Sequence, residues 1–202
     1  MKKRRLYVFV AAVLVGVGTA SYALAAQSER HGQGNSPGTE SFHATLSGLQ
    51  ETPANFTTGS GQFDATLDRS TETLHFVFTY SNLKGQKVPN GKILFAHVHF
   101  GQRNVAGGVS FFLCDNSAVP AVPRTCPDDG TGSGTVEGDV TAANVIGPNG
   151  QGIDAGAFDA IVKEMEDGFA YANIHTTRMP GGEIRGQISL GGNDEGDQGN
   201  HD

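Results

Sequence analysis

The sequence predicts an all-β chain, an antiparallel sandwich or barrel of roughly eight short strands with one short inserted helix. Three observations carry that prediction. Apolar and polar residues alternate over short runs, the period of a half-buried strand. Turn signals rich in Gly, Asn and Pro separate the runs. Only the segment around residues 158–165 has helical spacing.

Phe42, Ala44 and Leu46 form the first alternating set, and Phe63, Ala65 and Leu67 repeat it after Gly59 and Gly61. Leu74, Phe76, Phe78 and Tyr80 follow in the same phase. Further strands are expected over Ile93–Phe100, Gly108–Cys114, Gly134–Val140, Phe169–Thr176 and Glu183–Leu190. Turns fall at 82–85, 89–91, 107–108 and 179–182. The helix rests on Phe158, Ile161, Val162 and Met165, which share one face, with Asp154 as the expected N-cap and Gly168 as the stop. It reads as a structural lid, and Asp159, Glu164, Glu166 and Asp167 as its solvated side.

Residues 1–25 read as a signal peptide. Lys2 to Arg5 supply the basic start, an apolar run follows to Ala20, and Ala23-Leu24-Ala25 is a small-x-small cleavage site. The run is short for a membrane span, so a cleaved signal is expected over a retained anchor, with no span left afterwards. Arg4 and Arg5 fit twin-arginine export poorly. Residues 26–40 read as a flexible lead-in, 41–190 as one domain, and 191–202 as a disordered acidic tail. The short signal fits a bacterial exported protein, periplasmic or secreted.

Without the four basic residues of that signal, 10 basic and 21 acidic residues remain, a net charge of −11. Such a surface lacks the basic footprint that nucleic acid or an anionic membrane requires. The two cysteines, Cys114 and Cys126, are expected to pair in an oxidising compartment. A loop of that length stabilises by about 3 kcal/mol in the chain-entropy model.

The chemistry concentrates in histidines. His97 and His99 flank Val98 in a strand-like run, so both point to one face while Ala96, Val98 and Phe100 point to the other. His175 lies in a second run, where Ala170, Ala172 and Ile174 form the core-facing set and Tyr171, Asn173 and His175 share the opposite side. If the two strands neighbour each other, the three imidazoles converge. Neutral imidazole suits copper, zinc or nickel, so a three-histidine transition-metal site is expected, copper first and zinc as the alternative. The other readings are a rigidifying cluster bonded to Glu183, Thr176 or backbone, and a site for an organic or protein ligand. Glu183 and Arg185 alternate on one face of the last strand. Beside a metal, Glu183 would orient a histidine and Arg185 would attract an anion; without one they would form an exposed ion pair. Tyr171 and Asn173 would be outer partners of the metal. His43 and His75 are available as fourth ligands but read more simply as surface residues, and His31 and His201 as solvated ones.

Other chemistries find little support. No serine stands in a nucleophile elbow, neither cysteine reads as a nucleophile, and the glycines sit in turns and tails. Asp128 and Asp129 lack the full spacing of a calcium loop. Glu51 reads as the end of a strand.

Several segments resemble one family. The run FHATLSGLQETP at 42–53 resembles the opening of CHRD domains, the module named after chordin. AHVHFG at 96–101 and YANIHTT at 171–177 are similar to its two histidine segments, and PGGEIRGQ at 180–187 to its closing strand. The resemblance covers roughly residues 41 to 190 and implies an exported, all-β, immunoglobulin-like sandwich, suggesting a binding module; it transfers no particular partner, and an extracytoplasmic protein is the partner class expected beside the metal ion. His97 to Gly101 also resembles the copper-ligand strand of Cu/Zn superoxide dismutase, a Greek-key barrel, which implies copper and a substrate-guiding role for Arg185. The chain offers no clear bridging histidine and no zinc subsite, so dismutase-like redox activity is a third expectation, and no catalytic residue is assigned.

Overall fold

A computed structural model of the chain describes residues 39–83, 91–117 and 124–191. The expected signal, most of the lead-in, the tail after Gly191, His31, His201 and parts of the 82–85 and 89–91 turns lie outside these residues. Nine strands and one helix run in the order β1 (Thr39–Ser47), β2 (Ser60–Asp68), β3 (Thr73–Ser81), β4 (Ile93–Phe100), β5 (Gly108–Asp115), β6 (Gly134–Val140), α1 (Phe158–Glu166), β7 (Ala170–Thr176), β8 (Ile184–Gln187) and β9 (Ser189–Leu190). All pairings among the described strands are antiparallel. The strands form one sheet in the order β5-β4-β7-β8-β1-β2-β3-β6, with β9 also on β1. The sheet curls into a nearly closed barrel, bringing its terminal strands β5 and β6 near each other.

The alternation of the sequence explains the wall from β1 to β6. Phe42 faces Ala65, Ala65 faces Phe76, and Phe76 faces Gly138, so large and small residues alternate across four strands. Phe63 and Phe76 stack diagonally, 6.3 Å apart. This lets bulky rings interlock at interior density without overlap. Phe42, Phe63, Phe76 and Phe78 are all fully buried.

The seam between β5 and β6 is stitched by Arg124. Its Nε–H donates to Leu113 O on β5 and its Nη1 to Asp139 O on β6, while its carbonyl accepts from Asp115 N–H. The guanidinium lies 5.0 Å over the Phe76 ring, in space that a Cβ at Gly138 would fill. Two residues further on, Cys126 sits at disulfide distance from Cys114 on β5, S–S 2.08 Å.

Three sequence expectations are corrected. Asp154 does not cap the helix: α1 begins at Phe158 with Ala157 in the cap position, and the Asp154 carboxylate accepts from Asn149 instead. Glu164 is not on a solvated face. It is 4% exposed, turned inward with Phe158, Ile161, Val162 and Met165, and accepts from Ser110 Oγ at 2.7 Å. The closing strand is two pieces: Ile184–Gln187 runs along β7, a register that Ile188 N–H extends by donating to Ala170 O, while Ser189–Leu190 pairs with β1. Gly168, at φ +73°, does end the helical segment. Among the described residues no helix is long and apolar enough to cross a membrane.

Candidate metal centre

Strand pairing brings the histidine segments together. In the β4–β7 ladder Phe95 faces His175, His97 faces Asn173 and His99 faces Tyr171. On β8, Arg185 faces Asn173 and Gln187 faces Tyr171. On the other side of β4 the pairing with β5 slips twice, leaving Leu113 and Ser110 as surplus residues and setting Phe112 opposite His97. Such bulges re-aim side chains. Ala96, Val98, Ala170, Ala172 and Ile174 are fully buried in the barrel core, so the opposite face carries the polar set, as the alternation requires.

That second face is itself covered. His97, His99 and His175 are 5%, 7% and 7% exposed, and Asn173, Arg185 and Glu183 are also buried. The cover consists of the segment after β1, beginning with a 3-10 turn at Gly48–Gln50, and the β4–β5 loop, residues 101–107. Arg185 clamps both. Its Nη1 donates to Thr52 Oγ1 and Val105 O, and its Nη2 to Gln102 O at 2.9 Å. Its guanidinium lies 3.5 Å over the Tyr171 ring. Gln187 Nε2 donates to Gly101 O, and Gly107 N–H donates to the Tyr171 hydroxyl. The alternative of a Glu183–Arg185 ion pair is not what forms: both are buried, Arg185 serves the loops, and the Glu183 carboxylate accepts from Thr57 and Thr176.

The imidazoles form a tight triangle. Ring centroids are 5.1 Å apart for His97–His99 and His97–His175, and 6.3 Å for His99–His175. One nitrogen from each lies within 4.8 Å of the others, which leaves a common point ~2.8 Å or less from all three, near the roughly 2 Å of copper– and zinc–imidazole bonds. His99 Nδ1–H donates to Gly107 O at 3.0 Å, which turns the Nε2 lone pair inward. His175 Nδ1–H donates to Pro180 O at 2.9 Å, so its Nε2 is also an acceptor. That Nε2 lies 3.1 Å from Asn173 Oδ1. His97 Nδ1 and His99 Nε2 are buried without a hydrogen-bond partner.

Burial dominates the electrostatics. It pushes His97 down to about 2, helped by the neighbouring His175 and His99. It lowers His99 to about 4 against the pull of the Gly107 carbonyl, and lowers His175 as well. All three are neutral imidazoles at neutral pH, the form that ligates a metal.

One residue at this site was not legible in the sequence as part of it. Glu51 does not end a strand. It closes the 3-10 turn, 6% exposed, with Oε1 lacking a partner. Burial raises its carboxyl to about 7, opposed by the Thr52 N–H, Arg185 and the Asn173 amide. A Cβ at Gly182 would collide with that carboxylate, so Gly182, at φ +129°, makes room for it. His43 and His75 stay out of the cluster, hydrogen-bonded to Asp64 and Asp139 on the outer face of β1–β3 and β6. Asp129 accepts from Thr131 within its own loop. Among the described residues, His97, His99 and His175 are the one group of three or more ligand-type side chains close enough to hold a metal ion.

Residues 42–188 match the family model described as CHRD domain. No curated protein and no solved structure matches the chain.

Proposed function

This chain belongs to the CHRD-domain family, and from that premise we propose that it is an exported protein that binds a transition metal, copper or alternatively zinc, through His97, His99 and His175. The observation that carries the reading is a surplus of lone pairs. His99 Nε2, left as the acceptor by the Gly107 bond, and His97 Nδ1 are buried without any hydrogen-bond partner, and His175 Nε2 meets the amide oxygen of Asn173. Leaving such groups unsatisfied costs about 1–3 kcal/mol each. A cation would satisfy all of them at once. The neutral donor set fits copper or zinc and fits neither calcium nor magnesium, which demand oxygen. Bound there, the metal would supply Lewis acidity or a one-electron couple. The chain's own part is to fix the imidazoles through Gly107 and Pro180 and to shield them beneath the two loops.

Export is supported by the basic and apolar start with its cleavage site at Ala23 to Ala25, and by the Cys114–Cys126 pair. The place would be the periplasm or the medium.

A second reading has one observation in its favour: His99 and His175 tie loop backbone to the sheet, as histidines of a rigid envelope interaction module would. Metal analysis of untagged protein purified from the periplasm separates the two. The metal reading expects about one copper or zinc per chain and a higher melting temperature when that ion is added. Protein without metal, and with unchanged melting on adding copper or zinc, belongs to the interaction module. Dismutase-like activity is the least supported, because the donors of Arg185 already serve Thr52, Gln102 and Val105. A superoxide-disappearance assay tests it directly.

A further inference from the structure

Resting on the reading of His97, His99 and His175 as a copper site, we infer that the cluster is built for monovalent copper and that Phe95 and Phe112 set this preference. The first argument is charge. All three donors are neutral, and no carboxylate or thiolate joins their group. The oxygen that meets His175 belongs to the neutral amide of Asn173, and the Glu51 carboxylate is held by that amide and faces the Arg185 cation. The cost of burying an ion rises with the square of its charge, so a dication costs about four times as much as a monocation here.

The second argument is what surrounds the imidazoles. Divalent ions offset their cost by taking further ligands, tetrahedral for zinc and tetragonal for Cu(II), with water or an anion filling the open place. Here, apart from the Asn173 amide, the ring neighbours are aromatic carbon. The Phe95 ring lies 4.7 Å from both His97 and His175, and the Phe112 ring 4.4 Å from His97. The two phenylalanines meet edge to face at 6.5 Å. On the remaining side Tyr171 stacks parallel to His99 at 4.7 Å. Phe95 and Phe112 are half-buried, so they stand between the histidines and water. The slips in the β4–β5 pairing place Phe112 opposite His97. Cuprous ion has a filled d shell and a single charge, and is content with three neutral nitrogens and no water.

The test uses the full chain under anaerobic conditions. Cu(I) affinity is read by competition with bathocuproine disulfonate, and Cu(II) and Zn(II) affinities by competition with amino-acid chelators. Wild-type protein is expected to prefer Cu(I) over both dications by about 100-fold or more. Phe95→Ala and Phe112→Ala, by admitting water, should narrow the Cu(I)/Cu(II) ratio by about tenfold, a fall of about 59 mV in the one-electron potential. Phe95→Leu, which stays apolar, should keep most of the preference. Cu(II) or Zn(II) bound as tightly as Cu(I) overturns the inference whatever the variants do. So does an unchanged ratio in folded alanine variants. Failure to bind any of the three ions is a separate result: it removes the metal reading itself, and this inference with it.

Discussion

Asn173 stands directly across from His97 in the β4–β7 ladder, and its amide oxygen lies 3.1 Å from His175 Nε2. Because His175 Nδ1 carries its proton towards Pro180 O, two acceptors face each other there. The same amide contacts His99 and Glu51. One side chain thus links His99 and His175 to the buried carboxylate, and its orientation matters to both.

The first prediction concerns the ligands. His97→Ala, His99→Ala and His175→Ala should each weaken copper or zinc binding by more than about 100-fold, beyond what losing an outer partner costs. Asn173→Ala should weaken it by about tenfold or less. Chelator competition measures all four, and wild-type affinity retained in the three histidine variants would mean that another site holds the metal.

A second prediction concerns Glu164. Burial on the inward face of α1 raises its carboxyl from 4.5 to about 8. Between those values the folded chain keeps a proton that the unfolded chain has released. Its contribution is therefore greatest below pH 4.5, and stability falls as pH rises towards 8, by up to about 1.4 kcal/mol per pH unit. Glu164→Gln, neutral at every pH, should flatten this decline. Urea unfolding of both proteins across that range measures it; parallel pH profiles would contradict the assignment.

Arg185→Lys is the third. A lysine cannot span Thr52, Val105 and Gln102 together. A loss of about 2–3 kcal/mol is expected, with faster amide exchange in residues 101–107 and around Thr52. Exchange unchanged in that loop would show that Gln187 and Tyr171 hold it alone.

Gly107 gives the fourth. Its N–H donates to Tyr171, its carbonyl accepts from His99, and an added Cβ would run into the Phe100 carbonyl. Gly107→Ala should displace the loop and cost more than about 2 kcal/mol in melting experiments, while Gly150→Ala, with open space around it, should be nearly neutral.

Much of this arrangement was legible because strand alternation is a local signal. Phe63 to Leu67 and Leu74 to Tyr80 announce their core faces, and β4 and β6 begin and end where the turn residues place them. The shared face of His97 and His99, and of Tyr171, Asn173 and His175, follows from the same period. What alternation does not encode is whether a polar face stays open to water. Here two loops close over it, held by a buried arginine, and no run of neighbouring residues signals that. Glu51 and Glu164 were misread for one reason: a carboxylate in a turn or on a short helix is ordinarily solvated, and only tertiary packing turns these two inward. Asp154 shows the converse, a good capping residue drawn to Asn149 instead.

The Arg124 stitch also bears on how this protein behaves among its own copies. A sheet that stops short of full closure leaves two strand margins whose free amides and carbonyls can recruit another chain. Arg124 occupies one carbonyl on each margin and fills the gap with a charge, while Cys126, two positions on, anchors the stitch to β5. Arg124→Ala, which frees both carbonyls, is therefore expected to raise self-association at high protein concentration, read by analytical ultracentrifugation.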